Sequence, residues 1–355
     1  MAEARALPGF AHWQTAACKP LTGDASARKY FRLRAGRQTA ILMDASQVPD
    51  SVAPFVRIAK HLRQIGFSAP EILARDTENG LLLLEDFGDD TFARLLEPRS
   101  CDAPSQKVAA TPSSHVLGPL KNGDEASPSL IATGASQLPS VEQLFTLATD
   151  VLIALHRHPQ AVPENLRAYE PEKMLEDVEL FVQWRTPQVS ALEKDDFRAA
   201  WRAVLLLAHR VPQSLLLRDY HVANLMLLPQ RTGIQQAGLL DFQDAYRGPV
   251  TYDLVSLLED ARRDVPEALQ KKLLARYRDA FPTLNREIFE TSWAILAAQR
   301  HMRVLGIFER LARHAGKLDY RRLHSPRVER RLRQALQHPV LADLKSWIER
   351  HADTN

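Results

Sequence analysis

Three short apolar runs with acidic and amide residues at their ends constrain this chain more than any other feature. Ser214-Leu215-Leu216-Leu217 and Leu225-Met226-Leu227-Leu228 flank a polar turn, and Ala237-Gly238-Leu239-Leu240 leads directly into Asp241. Runs of about four residues bounded by turn signals suit strands better than helices. The turn carries Asp219 and Asn224 in an Asp-x4-Asn spacing, and Asp241 follows seventeen residues after Asn224. Asp and Asn also favour turns through their own backbone hydrogen bonds, so the pair alone reads equally as a turn. With Asp241 at the end of a strand, the three groups divide the work of phosphoryl transfer. One carboxylate accepts the proton of an attacking hydroxyl, while an amide oxygen and a second carboxylate hold Mg²⁺.

The rest of the chain supplies a frame. Tyr30–Leu33, Ala40–Met43 and Leu81–Leu84 read as strands, and Phe55, Ile58, Ala59, Leu62 and Ile65 line one face of a helix that Gly66 ends, so the first region is a small sheet carrying a helix. Helical spacing dominates after residue 140, with helices expected at Val141–His156, Glu172–Trp184, Lys194–His209, Tyr252–Arg263, Glu267–Ala280, Asn285–Ala312 with a break inside, and Ser325–Ala335. Between these regions, residues 98–140 hold 6 Pro, 3 Gly and 8 Ser and no Phe, Tyr or Trp. Such a stretch buries too little apolar area to offset the entropy of ordering it, and reads as a disordered insertion.

Composition narrows the class of function. A net charge of +3 over 355 residues is too weak a field to argue for nucleic acid or an anionic membrane. The two cysteines, Cys18 and Cys101, lack metal-type spacing, and no apolar run approaches the roughly 18 residues of a membrane span. The expectation is a cytoplasmic protein with a small-molecule substrate, no nucleic-acid partner and no membrane partner; nothing in the sequence sets an oligomeric state.

The phrases Leu217-Arg218-Asp219-Tyr220-His221-Val222-Ala223-Asn224-Leu225-Met226, Leu239-Leu240-Asp241-Phe242-Gln243-Asp244-Ala245 and Thr251-Tyr252-Asp253-Leu254-Val255-Ser256 closely resemble the catalytic and metal loops of the aminoglycoside phosphotransferase, protein-kinase-like superfamily. Within it they resemble the anomeric cell-wall amino-sugar kinases. The resemblance extends to Gly23-Asp24-Ala25-Ser26, Arg28 to Arg32, Leu84-Glu85-Asp86-Phe87-Gly88-Asp89 and Gln299-Arg300-His301-x-Arg303. It implies an α+β, bilobal fold, with a small β-rich nucleotide-binding lobe (1–86) and a larger, mainly helical lobe (87–355) enclosing ATP and Mg²⁺. It implies Asp219 as catalytic base, Asn224 and Asp241 as Mg²⁺ ligands, and Asp253 as the brace of the catalytic loop. The reaction implied is phosphorylation of N-acetylmuramate or N-acetylglucosamine at the anomeric hydroxyl, a step of peptidoglycan recycling.

On the nucleotide side, Gly23 and Ser26 lie where this superfamily covers the phosphates, and Glu85 lies on the strand that meets adenine. The phosphate-binding Lys of kinases is replaced by Met43, which leaves Arg28 and Arg32 as candidates, and Leu217 stands where relatives place His. Asp86-Phe87-Gly88 precedes the catalytic loop and so is not the metal loop. On the sugar side the candidates are Tyr220, His221, Gln243, Asp244 and Arg300, the last pairing with the lactyl carboxylate of N-acetylmuramate. Two other readings compete: a kinase of the same fold acting on an aminoglycoside, choline or homoserine, and a nucleotide-binding regulator without turnover.

Overall fold

A computed structural model of the chain describes residues 10–21, 28–97 and 138–352. Five strands, β1 (Ala17–Leu21), β2 (Lys29–Ala35), β3 (Gln38–Asp44), β4 (Ile72–Asp76) and β5 (Leu81–Glu85), form one antiparallel sheet in the order β1-β2-β3-β5-β4. The unbroken apolar run of β5 follows from burial on both faces. Leu81 and Leu83 join Leu33, Ala40 and Leu42 beneath Phe10 and Trp13. Leu82 and Leu84 point the other way, with Met43, into the large core shared with the helical part. Helix α1 (Val52–Gln64) lays Phe55, Ile58, Ala59 and Leu62 into that same core and stops at Gly66, whose φ of +88° suits a helix end.

The second part contains α2 (Phe92–Leu95), α3 (Val141–Arg157), α4 (Pro171–Trp184), α5 (Ala191–Ala208), α6 (Thr251–Leu258), α7 (Glu267–Asp279), α8 (Arg286–His314), α9 (Ser325–Ala335) and α10 (Ala342–His351). Capping boxes start α3 and α5, through Ser140 with Gln143 and Ser190 with Glu193. The expected break in α8 is absent: its 29 residues run through, buried along most of their length. Gly306 lets α8 approach α4 closely, since a Cβ there would sit 2.4 Å from the Leu180 backbone. The helix expected to reach Arg263 ends at Leu258, because Glu259 leaves helical geometry and the Asp260 carboxylate caps the Arg262 amide at 2.9 Å. Strand β4 and helix α10 escape the sequence patterns.

Four short strands interrupt the helices: β6 (Gln213–Leu216), β7 (Leu225–Leu227), β8 (Ala237–Leu239) and β9 (Tyr246–Pro249). β6 pairs with β9, and β7 with β8. The β7/β8 hairpin is also the seam to the first sheet, because the Leu239 amide donates to the Ser68 carbonyl (2.7 Å) and the Leu227 amide to the Asp90 carbonyl (2.8 Å). Gly23 and Ser26 lie outside the described residues, as do residues 98–137 of the insertion expected over 98–140, whose last residue, Ser140, instead caps α3. Among the described residues no helix is long and apolar enough to cross a membrane.

Candidate active site

A cleft of about 510 Å³ lies between the five-stranded sheet and the β7/β8 hairpin. Leu21, Ile41 and Leu84 face it from the sheet, Met226 and Leu240 face it from the hairpin, and Asn224 and Asp241 stand at its polar end. An apolar slot that opens onto oxygen ligands has the form needed for a flat base with a charged tail. Glu85 contributes to the wall, and its carboxylate is held by Arg63 and Arg231.

The loop after β6 is held from three sides. The Asp253 carboxylate, buried at the start of α6, accepts the amides of Leu217 (2.6 Å) and Arg218 (2.9 Å). Burial pushes this carboxyl up to about 7, against the two amides, which lower it. The Arg218 guanidinium donates to Asp177 on α4 at 2.5 Å and lies over the rings of Tyr169 and Tyr246. Tyr220 is the third anchor. It is buried, and its hydroxyl donates to the Ala148 carbonyl at 2.8 Å, so it fastens the loop to α3 rather than making the sugar contact expected of it. These contacts hold Arg218 at φ +68°; Arg218 and Asp241 (φ +58°) are two of the three non-glycine residues with positive φ among the described residues. Backbone strain of about 1–3 kcal/mol per residue is thus concentrated in the two loops that carry the oxygen ligands.

Asp219, between these anchors, remains partly exposed. Burial works to raise its carboxyl, but the charges of Arg303, Arg300 and Arg218, joined by His221 only when that ring is protonated, outweigh it and hold the group below the usual carboxylate range. It is an ionised acceptor at neutral pH. The Asn224 side-chain nitrogen faces the Asp219 carbonyl (2.9 Å), His221 Nε2 (3.4 Å) and Asp241 Oδ2 (3.5 Å). With its nitrogen among acceptors, Asn224 turns its oxygen away from them. Asp241 Oδ1 accepts from Gln243 Nε2 (2.9 Å) and pairs with Arg28 (3.4 Å), while 42% of its side chain stays exposed. In side-chain type, an amide and an open carboxylate on adjacent loops suit a hard cation that takes its remaining ligands from phosphate and water, although Asn224 here meets Asp241 through its nitrogen.

The structure separates the two arginine candidates. Arg32 binds both Asp86 oxygens (2.7 and 3.0 Å), the Gly88 carbonyl (2.8 Å) and Asp89 (2.7 Å), so its guanidinium is committed to clamping β2 to residues 86–89. That clamp also accounts for the Asp-Phe-Gly-Asp phrase. Arg28 instead reaches Asp241 across the cleft. Met43 is fully buried in the core that also holds Phe55 and Phe242, whose rings stack at 5.0 Å, so the position occupied by Lys in kinases is structural here.

His221 is buried between Asn224 and Arg262, with Nε2 3.3 Å from Arg262, and burial lowers its pKa, so the ring is neutral. Gln243 is buried beside Asp241, and Asp244 is exposed next to it. Arg300 is buried near the base. Asp177, Arg262 and Arg303 also belong to this site, and sequence reasoning assigned them no role. Arg303 had a signal, its one-turn spacing from Arg300; Asp177 had none, lying 42 residues before Asp219 in an ordinary amphipathic helix.

The sequence profile of the phosphotransferase enzyme family matches residues 17–110 and 124–289. The chain belongs to this family. It is an ATP-dependent phosphotransferase with a bilobal, protein-kinase-like α+β fold. It is 31% identical to an N-acetylmuramate/N-acetylglucosamine kinase of Caulobacter vibrioides over 93% of this chain and 91% of that protein. It is also 31% identical to a kinase of the same name from Pseudomonas aeruginosa, over 92% and 86% of the two chains. Among solved structures, a choline/ethanolamine kinase family protein from Mesorhizobium loti superposes with a TM-score of 0.59 at 16% identity, covering 98% of this chain and 97% of that one. At that identity the likeness speaks for the fold alone.

Proposed function

We propose that this enzyme transfers the γ-phosphoryl group of ATP to the anomeric hydroxyl of an N-acetylated amino sugar, N-acetylmuramate or N-acetylglucosamine. The product is the sugar 1-phosphate, and the physiological setting is peptidoglycan recycling. The observation that carries this reading is the charge around Asp219. Arg303, Arg300 and Arg218 are the permanent charges that act on its carboxylate to lower it. An aminoglycoside polycation or a choline cation would enter against that field, whereas an acetylated sugar, neutral or acidic, does not. The names of the curated relatives point the same way. The depressed basicity of Asp219 also suits the anomeric hydroxyl, the most acidic hydroxyl of a reducing sugar.

In this reading nucleotide enters the cleft between residues 1–86 and 87–355, with adenine in the apolar slot beside Glu85, and Gly23 and Ser26 serve the phosphates. Asn224 and Asp241 hold Mg²⁺, which when bound neutralises phosphate charge. Arg28 supplies the cation that Met43 cannot. Asp219 takes the proton of the anomeric hydroxyl as that oxygen bonds to the γ-phosphorus and the bond to ADP breaks. Asp253 keeps the loop in place, and His221, Gln243, Asp244 and Arg300 border the sugar.

The test is an assay with ATP and Mg²⁺ on N-acetylmuramate, N-acetylglucosamine, kanamycin and choline, with ³¹P NMR locating the transferred phosphate. An anomeric phosphate on the acetylated sugars is the expected result; turnover of kanamycin or choline alone overturns the reading. Arg28→Met is expected to raise the KM for ATP by about tenfold, the value of one charge-assisted hydrogen bond to phosphate, with the unfolding midpoint unchanged. An unaltered KM would assign the phosphates to other groups.

A further inference from the structure

On the acceptor side of the base, two largely buried arginines of α8 have few direct carboxylate contacts. Arg300 and Arg303 lie one turn apart on α8, and so on one face of that helix. Gly306, three residues beyond Arg303, brings α8 against α4, which carries Asp177. One oxygen of Asp177 takes the Arg218 guanidinium at 2.5 Å, the Tyr169 hydroxyl at 2.7 Å and Arg303 only at 3.4 Å. The other oxygen takes Lys173 at 3.1 Å. A single carboxylate therefore serves two arginines and a lysine. Arg300 is 3% exposed, and its Nε and Nη1 meet no hydrogen-bond partner among the described residues.

The other acidic groups nearby make their hydrogen bonds to other partners. Asp253 accepts the two loop amides, Glu259 accepts His301 and Trp293, and Asp260 caps the Arg262 amide. Asp219 has to remain open to the hydroxyl it deprotonates. A buried guanidinium that shares its carboxylate, as Arg303 does, or contacts none directly, as Arg300, is costly, and a bound anion lowers that cost. The nucleotide phosphates have their own contacts at the opposite side of the base, where Asp241 meets Arg28, Asn224 and Gln243. The anion that answers the α8 arginines thus belongs to the acceptor. Arg303, with 16% of its side chain exposed, is the one of the pair that meets solvent.

We propose that Arg303, backed by the buried Arg300, reads a carboxylate on the acceptor sugar and makes the enzyme prefer an acidic amino sugar to its neutral parent. This rests on the amino-sugar reading above and adds its specificity determinant. N-acetylmuramate differs from N-acetylglucosamine by a lactyl ether that ends in such a carboxylate, and guanidinium is the side chain whose fork matches it.

The experiment compares kcat/KM for N-acetylmuramate, its methyl ester and N-acetylglucosamine, using the wild type, Arg303→Lys and Arg303→Met. The wild type is expected to favour the acid over its ester by about 30-fold or more, the effect of leaving one partner of a buried charge pair unanswered. Arg303→Met is expected to bring that ratio close to unity, chiefly through KM for the acid, with Arg303→Lys in between. Equal use of acid and ester by the wild type overturns the proposal while leaving the kinase reading intact, and needs no variant that has to fold. A uniform loss on all three sugars in Arg303→Met also overturns it, because Arg303 would then serve the base or the transferred phosphoryl group. Turnover of none of the three sugars by the wild type defeats the amino-sugar reading itself, and this proposal with it.

Discussion

Asp219→Asn is expected to lower kcat on N-acetylglucosamine by about 10²–10⁴-fold, the usual contribution of a positioned general base. The substitution keeps the shape of the side chain and removes its ability to take a proton. Nucleotide affinity should be unchanged, because the cleft walls and Asp241 contact the loop through backbone and through Asn224, which bonds the carbonyl of residue 219 rather than its carboxylate. Steady-state kinetics alongside titration with a fluorescent nucleotide separates the two quantities. A loss below about tenfold would place the base elsewhere. Unaltered nucleotide binding with no rate in either protein would mean that the acceptor is another hydroxyl compound.

The second large effect is on stability. Asp253→Ala removes both acceptors of the buried Leu217 and Arg218 amides. At about 1–3 kcal/mol for each unsatisfied donor, the expected loss is about 2–6 kcal/mol, a large part of the 5–15 kcal/mol typical of a folded protein. Urea unfolding measures it, and a loss below about 1 kcal/mol would show that the loop is braced by Arg218 and Tyr220 instead. Activity should fall further than stability explains, because the amide of Arg218 belongs to a residue held at φ +68°. The loss also carries a pH signature. Burial pushes Asp253 up to about 7 in the folded protein, so from about pH 4 to 7 the folded state keeps a proton that the unfolded chain has released. Wild-type stability therefore falls relative to the variant as pH rises through that window, and the difference between the two proteins is larger at its acid end.

Both expectations depend on residues whose types could be read from the sequence and whose partners could not. Asp-x4-Asn followed by a strand-terminal Asp specifies its chemistry by side-chain type and by the short distance a turn can span. The same local logic found β3, β5 and α1, where alternation or a three-and-four spacing is a property of consecutive residues. It did not find β4 or β9, whose sequences carry no clear alternation and which exist because β5 and β6 offer them hydrogen bonds. It misjudged Tyr220, since a hydroxyl beside the catalytic Asp is indistinguishable in sequence from one that reaches back to the Ala148 carbonyl. It left Arg28 and Arg32 equivalent, and only the position of Asp86 and Asp89, more than fifty residues away, separates them.

What the chain determined by itself is the set of reactive groups, the core-facing pattern of its strands and helices, and membership in a phosphotransferase fold. These follow from local geometry and side-chain chemistry, which act over a few residues. Only the tertiary structure decided the electrostatics of the base. Arg300 and Arg303 come from α8, more than 80 residues after Asp219, and Asp177 from α4, 42 residues before it, and the two helices meet closely because Gly306 lacks the side chain that would hold them apart. Coulomb energy depends on distance in space and on burial, and neither quantity is written in the order of residues.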